Sequence, residues 1–410
     1  MDLAQQLLAR KKSFLVPCVY HFYQRPPALV RGEGAYLFDA EGRRYLDCYS
    51  GVTVVSAGHS NPEVLDAAID QLRQLQHTTT IYLTEPMLEL AGLLAELAPG
   101  DLRRSFFCAS GSEANEGALL LAALATGRQE CAYLKDGLHG RTKWAMSVTG
   151  LDMWRTDPNP LLTAHAVPGP RHPESLPALE RLLRRGSVAA VIAEPIQGNG
   201  GIIVPPDGYW PELRRLCTRH GTLLIADEVQ TAWNRTGRWF ATEHWGVVPD
   251  VVTVAKALGN GLPIAAYITS DEVAAHYTRP GAATFGGNLV SCRAALATLA
   301  FHQRHRLGER SAALGDRLLG QLRALQARRP EIAEVRGRGL MVGVELRDGA
   351  NQPAAALTDA VLERMKDDGF LLGKTGPGRN VLTLMPPLVI PSDALDTVVD
   401  ALSQALQDVS

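Results

Sequence analysis

Three ionisable residues close apolar, β-branched runs: Lys256 in "VTVAKALGNGLP", Asp227 at the end of "TLLIAD" and Glu194 at the end of "AVIAE". One such residue can simply mark where a strand stops. Three together, at the carboxyl ends of strands in an open α/β sheet, fall on the edge where that architecture binds ligands. A buried lysine gives up its proton readily and condenses with an aldehyde, while a buried carboxylate keeps a ring nitrogen protonated.

Pyridoxal 5'-phosphate requires that pair, and its phosphate requires a cradle. "ASGSEANEG" offers one, because Gly111 and Ser112 lead into a predicted helix whose first N–H groups and dipole favour an anion. The same residues also read as an ordinary capped helix start, with Ser112 as cap and Glu113 in the first turn. A second candidate is "ATFGGN", where Thr284 precedes a glycine pair that lets backbone approach a ligand. Other site motifs fail. "GFLLGKT" has Asp368 where a phosphate loop needs its first glycine, "RGRGLMVG" lacks the third glycine of a dinucleotide fingerprint and reads as a tight turn, and the 11 histidines include no HExxH pair. No metal is expected.

The elements that must hold these groups alternate as a βα sheet requires. "RSFFCASGS" is a strand running into a glycine turn, followed by the helix "EANEGALLLAALAT"; "SVAAVIAEP", "TLLIADEV", "DVVTVAK" and "IAAYITS" are strands apolar on both faces. Residues 62–300 are expected to form one large domain. Residues 1–61, with two short strands in "GAYLFDAEGRRYLDCYSG", and residues 301–410, with two amphipathic helices flanking "RGLMVGVEL" and "NVLTLMPPLVI", are expected to make a smaller α+β domain from both chain ends. With 41 basic against 43 acidic side chains among 410 residues, the chain has no field for nucleic acid or an anionic membrane. No membrane span or signal peptide is read, which places the protein in the cytoplasm. Cys18, Cys48, Cys108, Cys131, Cys217 and Cys292 lie far apart without a CxxC pair and read as free thiols.

The ordered set "GSEANE", "LHGRT", "AEPIQGNGG", "ADEVQTAWNRTGRW", "AKALGNGLP", "TFGGN" and "MPPLVI", spread from about Pro26 to Ile390, resembles the class III pyridoxal-phosphate aminotransferases. The resemblance implies the fold type I architecture: a large domain with a mainly parallel seven-stranded sheet covered by helices, plus a small α+β domain. It also implies roles. Lys256 would hold the cofactor as a Schiff base and shuttle the proton as general acid and base. Asp227 would pair with the ring nitrogen, Val229 would pack under the ring and Gln230 would bond its phenolic oxygen. Gly111 and Ser112 would take the phosphate, with Thr284 reaching it from the partner of a homodimer. Glu194 belongs to the same cofactor-binding set.

Departures from the family pattern bear on the cofactor and substrate. Leu138 stands where relatives stack an aromatic ring on the cofactor, with His139 beside it. Asn199 and Thr383 replace a glutamate–arginine pair that binds the α-carboxylate in many members, and losing both leaves no orphaned charge. That pattern favours pyruvate, alanine or glyoxylate over 2-oxoglutarate and glutamate. Arg141 and Arg379 match carboxylate-gripping positions of some relatives, and Tyr20, Tyr49, Val52, Val54 and Tyr82 lie in segments that line the substrate entrance in relatives. "TTTIYLTEP" and "PPLVI" look most like the alanine–glyoxylate and β-alanine–pyruvate branches. The expectation is therefore an aminotransferase moving an amino group from an ω-amino acid or amine to a small 2-oxo acid by a ping-pong route. Two alternatives use the same deprotonation: an amino-acid racemase, and a phospho-lyase with Arg141, Lys143 and Arg379 as phosphate donors. A binding protein that kept the fold and lost the chemistry conflicts with the intact lysine, ring carboxylate and cradle.

Overall fold

The computed structural model describes residues 2–157 and 159–409; Met1 and Ser410, the outer limits of the expected domains, lie outside them. Seven strands make the central sheet: β4 (Arg104–Cys108), β5 (Glu130–Leu134), β6 (Ala164–Val167), β7 (Val188–Ala193), β8 (Leu223–Asp227), β9 (Val251–Val254) and β10 (Ala265–Thr269). Their spatial order is β4-β10-β9-β8-β7-β5-β6, and β10 alone runs antiparallel to its neighbours. Apolar side chains on both faces explain the burial: every residue of β7 and β9 is buried, as parallel strands sandwiched between helices demand. Strands β5 and β6 were not among the expected ones.

Three earlier strands, β1 (Leu29–Glu33), β2 (Tyr36–Asp39) and β3 (Arg44–Asp47), form a meander joined by the turn at Gly42. Far along the chain come β11 (Ile332–Arg338), β12 (Met341–Leu346), β13 (Phe370–Leu371), β14 (Gly373–Thr375) and β15 (Val381–Leu384). Strand β13 adds in parallel to β3, pairing Phe370 with Leu46 and Leu371 with Asp47, so the two ends of the chain share a sheet. One apolar cluster holds Ala35, Leu46 and Cys48 together with residues of the helices Leu307–Gln326, Ala355–Asp367 and Ser392–Val409. The middle helix of these three was not read from the sequence. "RGRGLMVG" is a tight β11–β12 turn with Gly339 at φ 56°, and "GFLLGKT" supplies β13 and β14, its Lys374 paired with Asp359. Among the described residues no helix is long and apolar enough to cross a membrane.

One segment departs from ordinary backbone. Ser50, Gly51, Val52 and Thr53 all have positive φ, 54°, 59°, 67° and 62°, giving a full left-handed turn after β3. For a non-glycine residue this conformation costs about 1–2 kcal/mol.

Candidate active site

The parallel strands deliver their carboxyl ends to one edge of the sheet, where a cavity of about 380 Å³ opens. Its lining includes Lys256 after β9, Asp227 at the end of β8, Glu194 after β7 and the first turn of the helix Gly111–Thr126 after β4. The expected cap is displaced by two residues: Ser110, not Ser112, is the N-cap, its Oγ accepting from Glu113 N at 3.3 Å while Glu113 Oε2 accepts from Ser110 N at 2.9 Å. That reciprocal box satisfies the helix end. It leaves the N–H groups of Gly111 and Ser112 without a helical acceptor beside the cavity. Ser112 Oγ instead accepts from Arg141 N at 3.1 Å, and Gly140, at φ 142°, passes so close that a Cβ would collide with the Ser112 side chain.

Asp227 is buried, and three of the roughly four acceptor positions on its oxygens are taken. Its Oδ2 accepts from Asn115 Nδ2 at 2.8 Å and meets His139 Nδ1 at 2.7 Å, while Oδ1 accepts from Val229 N at 3.1 Å. Asn115, inside the motif "GSEANE", joins three elements. Its amide also donates to His139 O at 2.6 Å, and its Oδ1 accepts from Thr253 Oγ1 of β9 at 2.5 Å. Glu194 accepts from Leu138 N and Gly198 N, both at 2.9 Å. Burial pushes its carboxyl up to about 7, and the charge of Asp227 adds to that. Burial lowers the proton affinity of the Lys256 amine, partly opposed by Asp227 and Glu194. Lys256 itself sits at φ 49°, at the head of a short turn closed by Asn260.

Leu138, His139, Val229, Gln230, Asn199 and Val54 also line the cavity. Tyr20 and Arg379 line a smaller adjoining hollow with Phe22, Met153, Trp154 and Lys374, and Asn199 borders both spaces. Val52, Tyr82, Arg141, Thr284 and Thr383 are not brought to either wall. Val52 is spent within the left-handed turn, Tyr82 and Arg141 are exposed, and Thr383 is fully buried in β15 with Oγ1 unpartnered. Thr284 is exposed beside Phe285. Tyr49 packs edge-on against Phe22 at 5.7 Å between ring centroids, and Lys143 is engaged by Asp157.

The residues present fit pyridoxal phosphate on two observations. Buried Gln230 Oε1 lines the cavity without a hydrogen-bond partner, beside Gly198, where a Cβ would collide with that oxygen. The donor set is also right for the group: an amine of lowered proton affinity and a satisfied carboxylate share one cavity with a helix N-terminus. Fold and site together define a pyridoxal-phosphate enzyme of fold type I.

Residues 22–406 match the family model described as aminotransferase class-III, and the chain belongs to that family. It is 39% identical over 417 residues to the mitochondrial alanine–glyoxylate aminotransferase 2 homolog 2 of Arabidopsis thaliana, covering 98% of this chain and 87% of that one. It is 37% identical to the acetylornithine aminotransferase of Methanothermobacter thermautotrophicus, covering 99% and 100%. Among solved structures, a phospholyase from Arthrobacter in complex with phosphoethanolamine superimposes with a TM-score of 0.89 at 33% identity, covering 98% of this chain and 100% of that one. The protein is thus a class III aminotransferase by family, and the cofactor of that family is pyridoxal phosphate.

Proposed function

We propose that the protein moves an amino group from an ω-amino acid or amine to a small 2-oxo acid, with pyruvate or glyoxylate preferred to 2-oxoglutarate, in a ping-pong sequence. The observation that carries the preference is the absence of any arginine from the described lining of the cavity. Of the two cationic side chains lining the adjoining hollow, Lys374 is held by Asp359 and Arg379 is left for a substrate carboxylate, which suits a monoanion better than a dicarboxylate.

Lys256 would hold the cofactor, Asp227 its ring nitrogen, Val229 and Leu138 its two faces, and Gln230 its phenolic oxygen. Gly111 and Ser112 would hold the phosphate, with Thr284 of the partner subunit in a homodimer. When bound, pyridoxal phosphate supplies an aldehyde that condenses with amines and a charged ring that takes up the electron pair set free at the donor's carbon. Lys256 Nζ, with its lowered proton affinity, takes the proton from the carbon bearing the donor's amino group and releases it on the far side of the transferred nitrogen. Asp227 is held in place for this step by Asn115, His139 and the Val229 backbone, which fix its carboxyl group. Leu138 and Val54 give the cavity an aliphatic wall beside that carbon.

Lys256→Ala tests the assignment. Turnover is expected to vanish, and borohydride, which should fix the cofactor to the wild-type chain, should no longer add mass to it. Wild-type turnover in this variant would end the proposal for Lys256, and a donor panel in which glutamate reacts fastest would end the acceptor preference. The phospholyase likeness supports a second reading, release of phosphate from a phosphorylated amine. The pairing of Lys143 with Asp157 weighs against it by removing one of three candidate phosphate donors. Phosphate release without a 2-oxo acid requirement would favour that reading.

A further inference from the structure

The left-handed turn Ser50–Thr53 is the longest run of positive-φ residues, and the cofactor assignments give no reason for it. Left-handed φ is least comfortable for β-branched side chains, and two of the four residues are Val52 and Thr53. Such a run persists only where its surroundings over-determine it.

Here the clamp is Asp47, 2% exposed at the end of β3. Its Oδ1 accepts from both Tyr49 N and Ser50 N at 2.8 Å, and its Oδ2 meets His59 Nε2 at 2.7 Å. Ser50 Oγ donates to Met385 O, which ties the turn to the segment after β15. Ser50 O then accepts from Val54 N at 2.8 Å and Val55 N at 3.1 Å, so the turn fixes the direction of the next residues. Val54 is part of the cavity wall. Beyond it, Ala57 N donates to Asn260 Oδ1 at 2.9 Å and Asn260 Nδ2 donates to Gly58 O at 3.0 Å. Asn260 closes the short turn that Lys256 opens. The segment is therefore fastened at both ends, by a carboxylate before it and by the lysine loop after it.

We infer that Asp47 is a positioning residue: by holding Ser50–Thr53 left-handed it sets the Val54 wall of the cavity and thereby the size of amino donor that is used well. This rests on the aminotransferase reading of the cavity. Released from Asp47, the turn relaxes toward right-handed or extended backbone and carries the wall with it. Short donors then lose their fit, while bulky donors, which press on that wall, lose less.

The test compares wild type, Asp47→Ala, Asp47→Asn and each variant combined with Val52→Gly. Glycine takes positive φ without strain and so makes the clamp less necessary. In the protein without cofactor, hydrogen exchange at the Val54 and Val55 amides is expected to quicken by at least about tenfold in Asp47→Ala, less in Asp47→Asn, and to return toward wild type when Val52→Gly is added. In the loaded enzyme, kcat/KM for a short amine should fall by about tenfold in Asp47→Ala, chiefly through KM, with a smaller fall for a bulky amine and recovery in the double variant. Cofactor affinity, titrated by absorbance, should stay within about threefold of wild type. If Asp47→Ala does not accumulate, Asp47→Asn with and without Val52→Gly carries the same comparison. Unchanged exchange and donor profile in the Asp47 variants overturns the inference, as does a defect that Val52→Gly leaves in place. Absence of transamination with every donor in the wild type would instead sink the functional reading and leave the exchange result standing.

Discussion

Glu194 is a buried acid whose protonation is linked to folding. Its carboxyl sits at about 7 in the folded chain, above the ordinary 4.5, so the folded state holds a proton that the unfolded state has lost between those values. Stability from this group is complete below the ordinary value and is lost as pH rises toward 7. The span corresponds to about 3 kcal/mol. In the protein without cofactor, Glu194→Gln should therefore reduce the fall in melting temperature between about pH 4.5 and 7, while Glu228, also raised to about 7 by burial, keeps the rest of it. An unchanged pH profile would contradict the assigned burial. Asn115 gives a second prediction. Asn115→Asp puts a carboxylate in place of the amide that donates to Asp227 at 2.8 Å, and two acids so close cannot both stay ionised. Cofactor affinity, followed by absorbance, should drop by about tenfold or more, whereas Asn115→Gln should perturb it less. Lys256, Asp227 and Glu194 were legible because a charge that ends an apolar run is a local signal. Asn115 was not, because its partner lies 112 residues away and nothing in a helix interior advertises which polar side chain turns inward.

At the scale of elements, the junction between the helix Leu289–Arg304 and the loop after β8 buries His302, 1% exposed, against Ser56 Oγ at 2.9 Å and Asn234 Nδ2 at 3.3 Å. Burial, aided by Arg235, depresses its imidazole to about 3 from the ordinary 6.5. The unfolded chain binds the proton first on acidification, so this contribution is present above the ordinary value and is lost as pH falls from about 6.5 to 3, by up to about 5 kcal/mol. His302→Gln, which titrates in neither state, should be less acid-labile than wild type below about pH 5 in a chemical-denaturation series, even if it is weaker near neutrality. Apolar runs revealed β4, β7, β8, β9 and β10; β7, β9 and β10 are buried throughout and β8 all but Leu223, while in β4 the run ends on the buried pair Phe107–Cys108. The strand β6, "AHAV", escaped because it is four residues long at the sheet edge and half-exposed, its His165 taken up by Glu130. The helix Ala355–Asp367 escaped for want of a start signal, since its cap position is Ala354, which has no capping side chain. The left-handed turn was illegible for a stronger reason. Ser, Val and Thr argue against that conformation locally, and only contacts from Asp47 and Met385, fixed by the assembled fold, impose it.

For the whole molecule, several large apolar side chains stand exposed, among them Phe285 next to Thr284. Ile81 is 75% exposed, Leu83 90% and Phe285 63%. The helix Pro62–Gln74 adds Leu65, Ile69 and Leu72, spaced by four and three residues and therefore on one face. Exposed apolar side chains of this kind are what a partner covers, and a homodimer that covered Phe285 would bring Thr284 close to the other subunit. A complementation experiment distinguishes service to the partner's site from service to its own. Lys256→Ala should be inactive, and Thr284→Glu should bind cofactor poorly because it opposes a phosphate with a carboxylate. If Thr284 serves the partner, a dimer of one chain of each kind has one site with both defects and one with neither. Random reassociation of equal amounts should then restore about a quarter of wild-type turnover, since half the dimers are mixed and each holds one intact site. If Thr284 serves its own chain, every site keeps a defect and the mixture stays as inactive as its parents. Phe285→Glu should shift the sedimenting species toward monomer and lower cofactor affinity in the same samples, and a monomer with wild-type affinity would remove the partner from the site.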